Sequence, residues 1–67
     1  MQKQWTEQPA LIVPVGETFW WSTDILRIIG ATNEGDQMVL FDGTPWRQTW
    51  EWTGGIWNGV TRFVRIS

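Results

Sequence analysis

The side chains that most often do covalent or metal chemistry are missing from this chain. It has no histidine, no cysteine and no tyrosine. A Ser–His or Cys–His nucleophile pair is therefore impossible, and a structural zinc site is excluded on the same ground. Paired carboxylates such as Asp42 and Glu51 are available in principle as acid and base. On a short β-protein they read better as surface charge. Asn33-Glu34-Gly35-Asp36 carries oxygen ligands but not the spacing of a calcium loop, so it reads as a turn. The expectation is a protein that is not an enzyme and holds no metal or cofactor.

What the chain does carry is recognition chemistry. It has seven tryptophans, four of them between residues 46 and 57. The candidate binding residues are Trp20, Trp21, Trp46, Arg47, Trp50, Trp52 and Trp57. Protein interfaces are enriched in Trp and Arg, and a few such anchors carry most of the affinity. Arg47 beside these rings could stack on one of them. A flat exposed indole also suits the C–H side of a pyranose ring. For that role Trp57 and the pair Trp20-Trp21 are best placed. Against both stands the reading in which the rings close a small core.

The elements that must position these rings follow from periodicity. Strand geometry puts Trp46, Gln48, Trp50 and Trp52 on one face and Arg47, Thr49 and Glu51 on the other. Gly54-Gly55 is expected to end that strand, leaving Ile56-Trp57 as a protrusion or a very short rung. Ala10–Val15 reads as a short strand that Pro14 confines to an edge. Glu17–Ser22 is aromatic and ambiguous between a short strand and a loop that folds over the core. If it is a strand, one of Trp20 and Trp21 faces outward. Ser22-Thr23-Asp24 could cap a helix through Ile29 with Gly30 as its stop. The isoleucines favour a strand over Ile25–Thr32 instead. Asn33–Asp36 is then a hairpin turn into a strand at Gln37–Phe41. Val60–Ile66 is the last strand, with Val60, Arg62, Val64 and Ile66 sharing one parity and Phe63 on the other.

Five short strands with closely spaced turns predict an all-β fold, a small five-stranded SH3-like or OB-like barrel. Residues 1–9 read as a polar N-terminal arm anchored by Trp5, and residues 10–67 as a single β domain. The stretch from Gly35-Asp36 through the following strand to Trp50-Glu51-Trp52-Thr53 resembles small chitin-binding modules. Those modules carry tyrosines and a different start, both missing here, and no family is assigned on this likeness.

Length sharpens the functional reading. A chain of 67 residues hides only about 60% of its unfolded surface. Each Trp that is buried removes roughly 150–250 Å². Seven tryptophans, three phenylalanines and a long aliphatic set exceed what one such core can take in. The surplus is expected as an exposed patch, which marks an interface. Net charge is −2 and the arginines are scattered, so nucleic acid is an unlikely partner. No apolar run reaches a membrane span, and no signal peptide is seen. Cytoplasmic or virion-associated localisation is favoured. The expected function is a protein–protein interface, with self-association as a homo-oligomer or docking on a larger assembly, as in viral accessory or capsid-associated proteins. The alternatives are a carbohydrate-binding module and a small inhibitor of a host or rival protein.

Overall fold

The computed structural model of the protein describes residues 8–41 and 47–67. Trp5, Trp46 and most of the expected polar arm fall outside these residues. Four strands, β1 (Thr18–Ser22), β2 (Gln37–Phe41), β3 (Arg47–Trp57) and β4 (Val60–Arg65), form one antiparallel sheet in the order β1-β4-β3-β2. The fold is all-β in its sheet, as expected. Among the described residues it is an open sheet of four strands and not a five-stranded barrel, because β1 and β2 lie at opposite edges. β2, β3 and β4 are a meander, and β1 returns beside β4.

Side-chain alternation gives the sheet one apolar inner face. Trp21, Phe63, Trp50, Met38 and Leu40 are buried there, one or two from each strand. Trp21 packs edge-on against Phe19, Trp50 and Phe63, with ring centroids 4.7, 4.7 and 5.3 Å apart. Such edge-to-face pairs add about 0.5–1.5 kcal/mol each beyond the area they bury. Trp21 Nε1 is buried without a hydrogen-bond partner among the described residues. Packing, not a polar tether, therefore sets this ring's place.

Two short helical segments cover the inner face. The first corrects the expected strand over Ala10–Val15. Gln8–Ile12 is a 3-10 helix, opened by Pro9, whose fixed φ suits a first turn. Val13 N–H closes it on the Ala10 carbonyl at 3.2 Å. Ala10 is fully buried, and the buried Gln48 amide donates to the Leu11 carbonyl at 2.7 Å. Gln48 also accepts from Trp50 Nε1 at 3.1 Å, so both polar ends of this buried side chain are satisfied.

The second segment corrects the strand expected over Ile25–Thr32. Asp24–Ile29 is helix α1. Strand alternation would bury Arg27 with Ile25 and Ile29. A helix instead turns Ile25, Leu26 and Ile29 onto the core and leaves Arg27 and Ile28 exposed. Gly30 ends it at φ 70°, and the Ala31 N–H reaches back to the Leu26 carbonyl at 2.9 Å. That is a Schellman stop, which glycine fits without strain.

The turn at Asn33–Asp36 is present, but it joins α1 to β2 and does not link two strands. Asp36 organises it. Its carboxylate accepts from the Thr32 and Asn33 N–H groups at 2.8 and 3.0 Å. The turn is stitched to β3 by Gly35 N–H to Trp52 O and Trp52 N–H to Asp36 O, at 2.8 and 2.9 Å.

The N–H groups of Thr32 and Asn33 hold the Asp36 carboxyl below the ordinary carboxylate value. A pKa depressed by folding contributes stability above the unfolded value, and that contribution is lost as pH falls through the folded one. The gap in melting temperature between the wild type and Asp36→Asn is therefore expected to be constant at neutral pH and to shrink below about pH 4. A thermal-melt series from pH 7 to pH 2 reads it, and a gap that widens in acid contradicts it.

Candidate functional site

The outer face of the sheet carries the exposed candidate residues Trp20, Arg47 and Trp57. The residues that pair across the strands share a face, so Thr18, Val64, Glu51 and Gln37 form one row of it. Trp20 and Arg62 begin the next row, and Ser22, Val60 and Trp57 make the one beyond. Val39 and Phe41 extend the face toward the β2 edge. Both helical segments pack on the inner side. Among the described residues no element lies over this face.

Trp20 and Trp57 are the two described indoles with substantial exposure, at 43% and 68%. Together they leave on the order of 200 Å² of ring to solvent. Strand spacing and rise place their Cα atoms about 12 Å apart. The Arg62 guanidinium lies over the Trp20 ring, 5.8 Å from its centroid, within cation–π range. Arg62 Nε also donates to the Thr53 hydroxyl at 3.1 Å, and that hydroxyl donates to the Arg62 carbonyl at 2.9 Å. The guanidinium is thus fixed between an indole and a threonine, not left mobile.

Trp57 owes its place to a bulge. β3 does not stop at Gly54-Gly55 as expected. It runs on to Trp57, with a break in its register to β4 between Trp52 and Ile56. Gly54 takes φ 83°, which glycine permits and other residues resist. The break is held by Thr61, which is fully buried. Trp52 Nε1 donates to the Thr61 hydroxyl, which donates to the Gly55 carbonyl, both at 2.7 Å. The bulge brings Gly55 under the Trp20 ring, where an added Cβ would stand 3.8 Å from the ring edge.

The other candidates divide sharply. Trp21 and Trp50 are core residues, 1% and 0% exposed, and present no face to a partner. Trp52 is half-buried against the core and engaged with Thr61. Trp46 lies outside the described residues. Arg47 is exposed and stacks 4.8 Å from the Phe41 centroid, so its ring partner is a phenylalanine and not one of the described tryptophans. Trp20 and Trp57 are thus brought together, and Arg47 sits with Phe41 toward the opposite end of the face. Arg62 and Thr53 were not among the sequence candidates. The parity of Arg62 with Val60 and Val64 was visible, but not the strand that carries Trp20 beside it.

Among the described residues, no three His, Cys, Asp or Glu side chains converge, and no helix is long and apolar enough to cross a membrane. Comparison with known protein families, curated proteins and solved structures finds no match.

Thr61→Val keeps the shape of the side chain but strands Trp52 Nε1 and the Gly55 carbonyl. Each unpaired buried group costs about 1–3 kcal/mol. Urea unfolding is expected to show a loss of roughly 2–4 kcal/mol, with the Trp57 environment changed in fluorescence. A loss below about 0.5 kcal/mol would show that the hydroxyl relay does not hold the bulge.

Proposed function

We propose that this chain is a non-enzymatic interaction module and that the outer face of its sheet is a protein-binding surface. The observation that carries the reading is the pair Trp20 and Trp57, exposed on a sheet face that no described element covers. A fixed Arg62 lies between them in the polar array with Thr53. Indole and guanidinium anchors set in a rim of Ser22, Thr18 and Gln37 match the composition of interface hot spots. The face holds Arg47 and Arg62 against Glu51, a mixed charge that suits a protein better than a polyanion. Docking on a larger assembly or on a host or rival protein uses the same physics.

Carbohydrate binding is the second reading, favoured by one observation. Trp20 and Trp57 are separated by about two strand spacings on one face, with the Arg62 guanidinium, a hydrogen-bond donor, on the strand between them. An oligosaccharide laid across both rings would meet apolar faces and hydrogen-bond donors in turn.

Trp57→Ala separates these outcomes. Trp57 is exposed, so the variant is expected to keep its circular dichroism and lose less than about 1 kcal/mol of stability. Cross-linking in cells that produce the wild type and the variant is expected to give a specific protein adduct lost in the variant. Identical adduct patterns would contradict the protein-interface reading. A saturable blue shift of wild-type fluorescence with soluble oligosaccharides, absent in the variant, would install the sugar reading in its place.

A further inference from the structure

Among the described residues strand β1 is an edge of the sheet and pairs only with β4. The bonds from Thr23 N–H to Gly59 O and from Arg65 N–H to Glu17 O show which of its residues face β4. Along an antiparallel edge strand the main-chain groups point inward and outward alternately. Glu17 and Thr23 face β4, so Phe19 and Trp21 do too. Thr18, Trp20 and Ser22 turn their N–H and C=O groups away from the sheet. Among the described residues no main-chain group meets them there.

Natural edges are usually blunted by charge, proline, a bulge or a covering element. Among the described residues β1 has none of these. It reads Thr-Phe-Trp-Trp-Ser, without charge or proline, and pairs with β4 in unbroken register. Its three outward residues are all exposed.

We propose that β1 pairs antiparallel with β1 of a second copy, about a two-fold axis at Trp20. This rests on the interface reading above and names the partner for the edge of the sheet rather than its face. The strand is its own complement, as a two-fold contact requires. Rotation about Trp20 sets Thr18 against the partner's Ser22, and Trp20 against the partner's Trp20. Hydroxyl meets hydroxyl, and each Trp20 ring, whose edge reaches inward to Gly55 on β3, leaves the line of contact open to the partner's backbone. No charge lies in the line of contact, since Arg62 sits one strand behind on the outer face. The outward groups of the two strands can form about six main-chain hydrogen bonds. The product is one continuous sheet of both copies, with the two Trp20–Arg62 arrays side by side on its outer face.

Analytical ultracentrifugation of the full chain from about 1 µM to 1 mM tests this, with hydrogen exchange measured at both ends of the range. The wild type is expected to go from monomer to dimer and no further. The Thr18, Trp20 and Ser22 amides should slow as concentration rises. Thr18→Pro removes an outward N–H without touching the β4 ladder, and Trp20→Lys puts like charges across the two-fold. Each is expected to weaken dimerisation about tenfold or more, while Trp57→Ala leaves it unchanged. The wild-type exchange data decide the matter even if a variant does not fold. A monomer throughout, growth past the dimer, a dimer indifferent to both edge variants, or three fast amides at every concentration would each overturn the proposal. A dimer kept while Trp57→Ala loses its cross-linked partner separates the edge from the face. If dimerisation is absent but that partner loss persists, the edge proposal fails alone.

Discussion

Trp21 stands edge-on to three other rings, and the rest of the molecule is arranged to keep it there. The rings come from its own strand, from the neighbouring β4 and from β3 one strand further. The cluster therefore ties together strands that share no hydrogen bonds. Its attraction is partly ring quadrupole and mostly area removed from water. In a chain with no disulfide and so little interior, these rings replace the staple that small domains often need. The helical segments are placed by it in turn, with Ala10 and Ile25 closing over the inner face.

A cluster built on one side of a sheet has a consequence for the other side. Trp20 and Trp21 are neighbours in a strand, so burying one ring exposes the other. The same alternation that hides Trp50 and Phe63 turns Arg47, Arg62 and Glu51 outward. The two short helices are enough to roof one face. The bulge at Gly54-Gly55 then carries β3 far enough to add Trp57 to the outer surface. The candidate site is thus the reverse side of the core, produced by the same strands and the same period.

Much of this was legible before the structure. The alternation that sets Gln48 and Trp50 on one face and Arg47 and Thr49 on the other is present as expected, and β2 begins and ends at the expected residues. The opposition of Trp20 and Trp21 followed from strand geometry alone. The misreadings have local causes. Ile25–Ile29 looks like strand by propensity, yet Arg27 between isoleucines argues for helical spacing, and the stop at Gly30 decides it. Ala10–Val15 is β-rich in composition, but Pro9 stands in the first turn of the 3-10 helix Gln8–Ile12 and Pro14 follows its end. Glycine pairs end many strands, and here the Thr61 hydroxyl turns the pair into a bulge within one. That relay joins residues distant in sequence, so no local pattern shows it. Strand order was equally hidden. Nothing in β1 or β4 alone says that Trp20 will lie against Arg62.

The account depends on which indoles face water. Indole N–H resonances of the monomer, recorded with and without a soluble paramagnetic probe, report this ring by ring. Trp20 and Trp57 are expected to broaden strongly, while Trp21 and Trp50 stay sharp and exchange slowly. A spectrum in which Trp20 and Trp57 are shielded in the monomer, or Trp21 is bleached with them, would contradict a core on one face of the sheet and a recognition surface on the other.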